Sequence, residues 1–574
     1  MNNNGVAIRY GDVAPEAKEN FAPTASESEF NTLSQLQRYN LNFPNYANPC
    51  ETYSVALDGT ATAVPSVPEL ANVGMWSEQT SGIDGSFTNP IILTLTSDGQ
   101  YTSQGLTLTF DVYNGVYPTR VFIQWYRGDA LVSEKDFYPN STMYFCQNKV
   151  EYYSKITLTF YSLNMPNTRL KLRAIDYGYG TYFYGDELRN VKLIQEIDPI
   201  SSEISVNTAD FTLDSKSSIE YFFQTRQPLS VYFNGELKAT TFVKSSKRKA
   251  KFLWDIKSED YVGLLDSVLY YGGIYTNANA VAVLSDIFAV AKVPYSIDEA
   301  FAAETITGHI PYTTCRDALM QVAFAIQAVV DTSNIDYVRI YALDEKIKQT
   351  LPLNRIMQGQ NFDDEATVTS VEVTSHTYKR ISETLEAYDA SESGAGQNIF
   401  VKFSEPLYDL TISNGTVLSS GPNYAVINAN SNAVLVGHKY EHTTATRRKN
   451  NPDVLSGEIE NVIAIENATL VSNSNVDKIL EKCYNWLVNT QRINLRIVEG
   501  KHVYYDSYVK YGQKKYGSFK YGSKEEKIII KDKPVNVGDT IKAETEYLGI
   551  RQGVVISQRF GLNGNIIIKD TQMR

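Results

Sequence analysis

The stretch Glu203 to Ala342 constrains this chain more than any other. It reads as strands, a tight hairpin, a block of short helices and a return strand. Leu229, Val231 and Phe233 alternate with polar or smaller residues. Asn234-Gly235 follows, and Leu237, Ala239, Thr241 and Val243 alternate again. Both turn residues accept positive φ, so the pattern predicts a two-residue hairpin. Upstream, Ile204 and Val206 share one parity and Phe211 and Leu213 the other. A one-residue slip moves side chains to the opposite face. Either a bulge near Asn207 to Asp210, as barrels need, or an irregular loop is expected there.

Helices come next. Tyr261 to Tyr271 is apolar enough for a short one, and Ala278 to Lys292 is Ala-rich and closes before Pro294. A third is capped by Thr313 or Thr314, with Asp317 in its first turn, where negative charge suits the helix dipole. Leu319, Val322, Ala323, Ile326 and Val329 mark one face. Arg316, Asp317, Gln321 and Gln327 rule out a membrane span there. Val338, Ile340 and Ala342 return to strand alternation.

At 574 residues the chain has room for about three or four domains of ~150 residues. Residues 1–60 are polar and aperiodic, with Asn2-Asn3-Asn4 at the start. They read as an extended arm that wraps a neighbour or lies over the chain's own domains, or as a disordered segment. Residues 61–195 carry short alternating strands, among them Leu106–Phe110, Ile156–Phe160 and Leu170–Ala174, and suggest a β-sandwich of jelly-roll type. Residues 196–375 hold a first barrel with a helical insertion at about 261–330. Residues 376–574 read as a second, mostly β region. There Ser474 and Asp477 give a capping-box-like start to a helix striped by Val476, Ile479, Leu480, Cys483 and Leu487. Strands follow at 493–498, 527–531, 540–545 and 554–560, and Asn563-Gly564 turns a last hairpin. The expected fold class is mostly β with α+β insertions.

Composition then removes whole classes of function. With 43% hydrophobic residues the chain can build several cores. A net charge of −12 argues against a protein whose main task is gripping nucleic acid or an anionic membrane. It is compatible with a wall that lets DNA pass. The 40 tyrosines suit half-buried strands and contact surfaces. Cys50, Cys146, Cys315 and Cys483 are far apart, so neither a zinc site nor a disulfide framework is expected, and folding in a reducing cytoplasm is. Met1 to Tyr10 lacks an apolar signal core.

No catalytic constellation stands out, so no catalytic, cofactor or metal residue is expected. His438 and His442 are four apart but sit in a strand-like, Thr-rich context without a His-Glu-x-x-His run. Neither a Gly-x-Ser-x-Gly elbow nor a Walker loop occurs. Asp363-Asp364-Glu365 reads as a solvated acidic loop or a calcium cluster. Two weaker contact candidates remain. Lys510, Tyr511, Lys515, Tyr516, Lys520 and Tyr521 repeat Lys-Tyr-Gly at period five, in a loop at about 505–524. Such a loop can meet a nucleic-acid backbone or a membrane surface, or be an exposed hairpin tip. Trp76, Trp125 and Tyr126 can stack on a sugar, or fill a sandwich core.

Several segments occur in a telling order: Glu203–Val206, Gln227–Gly235, Asp260–Leu265, Gly272-Gly273, Gly308, Cys315–Leu319, the helix at 475–489, Val537–Ile541 and the closing hairpin. This order, over about residues 195–574, resembles tail-hub proteins of phages and related contractile particles, in forms found in Gram-positive hosts. The resemblance implies a homotrimer whose chains each give two similar tube-like barrels, so that a pseudo-sixfold ring adapts a sixfold tail tube to a threefold tip. It implies a virion component, assembled in the host cytoplasm, that lines the DNA channel during genome ejection. Its partners would be its own copies, the tube or distal tail protein, other baseplate, tip or fibre proteins, and a host surface glycan. Arg574 closes the sequence just after the last hairpin, so the downstream hydrolase or fibre region of many such hubs is not expected here. Two other readings stay open: a cell-surface carbohydrate-binding protein acting through the sandwich, and a cell-wall hydrolase.

Overall fold

The computed structural model describes residues 6–11, 17, 20–27, 46–47, 62–63, 74–112, 114–215, 221, 223, 225–233, 235–455, 457–499, 501–504, 528–531, 534–563 and 566–574. The chain is mostly β with helical insertions. It divides into two compact units. One is Ile8–Tyr184 with Ser215–Ser230, and the other is Met1–Ala7, Gly185–Asp214 and Val231–Arg574.

In the first unit, a six-stranded sheet is built on two long strands, Ser86–Thr109 and Met143–Leu163. Pro118–Arg127 and Ala130–Phe137 form a hairpin beside Met143–Leu163. The strand pair Met75–Thr80 and Arg169–Leu172 lies across the same core. Alternation along the strands places Ile91, Leu93, Leu95, Val121, Ile123, Trp125, Ile156, Leu158 and Phe160 inside. Part of the expected arm belongs to this unit: Ala22–Ala25 pairs with Leu93–Thr96, and Phe21 stacks on Tyr177 with centroids 4.6 Å apart. Arg9 holds Asp176 with bonds of 2.6 and 2.7 Å, and Tyr10 packs among Phe183, Tyr221 and Phe223. These residues lie over the chain's own sandwich because they supply aromatic surface that its core buries.

The second unit is organised by a central sheet, whose strands we label in chain order: β1 (Leu188–Glu196), β2 (Thr208–Asp214), β3 (Glu236–Ala250), β4 (Leu253–Glu259), β5 (Asn361–Asp364), β6 (Gln491–Glu499), β7 (Gly549–Asn563) and β8 (Ile566–Met573). They run β3-β4-β2-β1-β7-β8-β6-β5. From the joint outward each half begins with a hairpin (β1-β2 or β7-β8) and then a pair (β4-β3 or β6-β5), and past β3 the sheet continues through Pro228–Phe233. Thr540–Thr545 adds to β7, and Ile347–Leu351 runs parallel beside it. Strands from 196–375 and from 376–574 thus share one sheet.

Each block is followed or interrupted by an insertion. After β4 come the short helices α1 (Tyr261–Leu265), α2 (Ala280–Ala291) and α3 (Cys315–Ile326), whose buried faces share one apolar core. Between β5 and β6 comes a five-stranded sheet built on Ser370–Asp389 and Tyr424–Asn450. It is followed by α4 (Val476–Leu487), which buries Val476, Ile479, Leu480 and Cys483 against Val371 and Val373.

Several local expectations shift in detail. The strands Pro228–Phe233 and Glu236–Ala250 flank the expected turn, and Gly235 takes φ +81. The parity slip before β2 is an irregular loop, because Ile204 leaves the sheet to join the helical core. The ladder's register break lies instead between Arg189 and Lys192. The first helix stops at Leu265, since Leu269-Tyr270 pairs as a strand with Thr313-Thr314. Thr314 caps α3 by accepting from Asp317 N. Ser474 does not cap α4; its hydroxyl bonds that of Ser472, and Asn475 holds the cap position.

Candidate functional site

The joint of the two blocks is where the chain's two halves become one object. Leu193 to Glu196 of β1 pair antiparallel with Phe560 to Ser557 of β7. At the centre Gln195 faces Gln558, and both are fully buried. Each donates from its side-chain amide to a backbone carbonyl: Gln195 to Lys238 O at 2.6 Å, Gln558 to Val535 O at 2.8 Å. Among the described residues neither side-chain carbonyl has a partner. Phe560 closes on Phe233 at 4.9 Å, so apolar contact flanks the amides. Two glutamines at inward positions, where the strands otherwise place Val191, Leu193 and Phe560, are the signal in the sequence that could have marked this place.

A second polar node ties the first block to its helical insertion. Asp260 caps α1, accepting from Val262 N at 3.0 Å and Gly263 N at 3.2 Å. Its other oxygen accepts from Asn207 N at 3.0 Å and from the Thr332 hydroxyl. Asn207 in turn donates to Thr332 Oγ1 at 2.8 Å and accepts from Glu196 N at 2.7 Å. Burial pushes the Asp260 carboxyl up to about 6, against four donors that favour its ionised form. Nothing in the spacing of 207, 260 and 332 reveals this node, because only the tertiary fold closes it.

The insertions meet through a ring column. His309 lies edge-on to Tyr378, Tyr378 stacks on His442 at 4.5 Å, and His442 stacks on His376 at 5.2 Å. His376 Nε2 faces the Glu466 carbonyl at 2.9 Å and must donate to it, so in the neutral ring Nδ1 accepts from His442 Nε2 at 2.9 Å. His309 Nε2 bonds Asn423 Oδ1 at 2.7 Å. Gly308 carries φ +146 beside this point, and a Cβ there would meet Thr469 O at 2.3 Å. Burial holds both His309 and His376 below the ordinary imidazole value. A base depressed by folding binds fewer protons folded than unfolded. Its stability contribution is therefore present above the ordinary pKa of about 6.5 and is lost as pH falls below it. The melting temperature of the full chain is expected to drop between pH 7 and pH 5. The double variant H309Q/H376Q should show a flatter pH profile, and calorimetry across that range checks it.

The residues singled out from the sequence fall as follows. Trp76 and Trp125 have no exposed surface, so neither can stack on a sugar. Trp125 packs edge-on against Phe137, and Trp76 lies beneath Lys171 Nζ at 4.6 Å. Tyr126 is half-buried with Lys155 Nζ 5.0 Å from its ring. Exposed aromatic surface gathers instead at Tyr271 and Phe400, which pack with Tyr312 and Tyr424. Lys510, Tyr511, Lys515, Tyr516, Lys520 and Tyr521 lie outside the described residues. His438 bonds the Ser382 carbonyl. Asp363 and Asp364 lie in β5, and Glu365 pairs with Arg492 and with Arg574.

The remaining titratable groups are also built into packing. Cys146, Cys315 and Cys483 are free and buried, and burial raises Cys315 to about 11 and Cys483 to about 12. Lys482 donates to Gln327 O at 2.6 Å, and burial brings it down to about 8. It lines a cleft of about 750 Å³ with Leu343, Trp486, Thr540, Gln552 and Arg574. Among the described residues no three His, Cys, Asp or Glu side chains gather to hold a metal. No described helix is long and apolar enough to cross a membrane.

No family model and no curated protein matches this chain. Solved structures do. The 43 kDa tail protein of prophage MuSo2 from Shewanella oneidensis aligns at 9% identity over 69% of this chain and 95% of its own, with a TM-score of 0.41. A tail protein from Neisseria meningitidis MC58 aligns at 9% identity over 69% and 93%, with a TM-score of 0.40. The prophage tail protein gp18 from Listeria monocytogenes EGD-e aligns at 10% identity over 68% and 91%, with a TM-score of 0.34. These three solved structures are of tail proteins.

Proposed function

We propose that this chain is a structural hub protein of a phage tail or tail-like particle, and that it works as a homotrimeric ring. The observation that carries the reading is the doubled central sheet. Two runs of four strands, each with a hairpin at the joint and a pair beyond it, are joined edge to edge through Gln195 and Gln558. A chain with two like blocks can present three copies as six, which is what a threefold tip needs to meet a sixfold tube. An open sheet with an acidic four-residue strand at one end, β5, can continue into a neighbour's sheet, which removes an exposed edge. In this reading the function is geometric and needs no catalysis. The insertions would carry the contacts to other tail parts, and the net charge of −12 would keep passing DNA from sticking.

Light scattering of the purified full chain tests this. The expected mass is three times the 64.4 kDa chain, unchanged over a tenfold dilution. A monomer at all concentrations that also fails to join tail tubes would sink the reading.

A further inference from the structure

We propose that the tip of the β3-β4 hairpin is a contact for the phosphate backbone of DNA. The segment 244–257 holds six cations, Lys244, Lys247, Arg248, Lys249, Lys251 and Lys257, and one acid, Asp255. Its formal charge is therefore +5 in a chain of −12. From Lys247 to Phe252 every residue is exposed, so the usual in-and-out alternation of a sheet strand ends here and both faces meet solvent.

Not all of these charges are equally available. Lys249 is held by Asp255 and Lys244 by Glu259. Arg248 and Lys251 are ordered by the tip itself. Arg248 lies over Trp254, 5.1 Å from the ring centroid, and donates to Lys251 O at 2.9 Å. Lys251 lies 5.1 Å from the Phe252 ring. Cations laid on aromatic rings lose less freedom when they meet a phosphate, and aromatic side chains interleaved with basic ones suit a nucleic-acid strand. A β-ribbon of this width also fits the major groove of a duplex. Cations on both faces of a ribbon match a polymer that surrounds it better than a flat acidic protein surface. The rest of the chain is acidic, so the contact would be local and weak, which suits DNA that must move.

The test uses the full chain, a 30-base-pair duplex of random sequence, and two triple variants with the same charge change. K247E/R248E/K251E reverses the tip, and K149E/K346E/K478E reverses exposed lysines elsewhere. Fluorescence anisotropy is read from 50 to 200 mM salt. Three phosphate contacts give a log K slope of about −2.7, so wild type should weaken about 40-fold across this range. The tip variant should lose most binding at 50 mM, and the control variant should keep at least half of it. Circular dichroism and the mass in solution confirm that both variants fold and assemble. Equal loss in both variants, or no binding by wild type at 50 mM salt, overturns the proposal. So does salt-sensitive self-association through the tip without DNA binding, which would assign it to an acidic face of a second copy. None of these outcomes touches the trimer, whose own test is mass.

Discussion

Asp111→Ala is expected to destabilise the sandwich unit by about 3–5 kcal/mol, which is much of the stability a domain of this size holds. Asp111 is almost fully buried between Lys171, whose Nζ lies 3.1 Å from Oδ2, and Arg173, whose Nη2 lies 3.8 Å from Oδ1. Asn114 completes the shell by donating to Oδ2 at 2.8 Å. Both cations also lie over the Trp76 ring, at 4.6 and 5.6 Å. Removing the carboxylate takes a close counter-charge away from two buried cations that face one apolar ring. Losing a buried counter-charge costs more than the ion pair itself contributes. Burial works against the ionised Asp111, yet the attraction of Lys171 and Arg173 outweighs it and brings the carboxyl below its ordinary value. Its contribution is therefore present above the ordinary carboxylate pKa of about 3.9 and is lost as pH falls below it. Chemical denaturation followed by tryptophan fluorescence measures the cost. The double variant D111A/K171M should recover part of it, because one of the two buried cations is gone. A cost under about 1 kcal/mol for D111A would mean that water reaches the site and that the triad is not dry.

Asp260→Ala is expected to cost a similar amount, about 3–5 kcal/mol, in the other unit. The substitution removes an N-cap and strips partners from three backbone N–H groups, Asn207, Val262 and Gly263. Asp260→Asn keeps the size but turns an amide N–H₂ toward Asn207 N–H, so a smaller loss, about 2 kcal/mol, is expected. The pH dependence separates the node from simple packing. Because folding raises the Asp260 pKa to about 6, the folded state binds the extra proton between the ordinary carboxylate range and about 6. Its contribution is complete below that window and is lost as pH rises through about 6. The stability gap between wild type and D260N should therefore widen as pH falls from 7 to 5. Denaturant midpoints at the two pH values give that difference directly. A gap that stays the same would mean that Asp260 is ionised in the fold down to pH 5.

How far the sequence reaches can be judged from particular elements. The hairpin strands around Gly235, the α3 cap at Thr314 and the apolar stripe of α4 all rest on contacts a few residues apart. Turn chemistry, capping and periodicity report such contacts directly. The N-terminal arm was harder to read. Phe21 is an apolar residue in a polar stretch, and only the sandwich shows why it is there. The tryptophans show the same limit from the other side. Trp76 and Trp125 stand in alternating strands, where parity alone cannot say which face meets solvent.

What the sequence by itself determined is the β-rich class, the place of the helical block and the order of elements, because each follows from local patterns. What only the tertiary structure decided is the joint of Gln195 with Gln558, the Asp260 node and the His309-to-His376 column. Each of these brings together residues separated by 50 to several hundred positions. Burial turns such residues from ordinary polar side chains into obligatory partners, and no local pattern records which buried group will face which. The same holds for the hairpin tip at 247–252. Its charge was written in the sequence, but its exposure on both faces came from where the sheet ends.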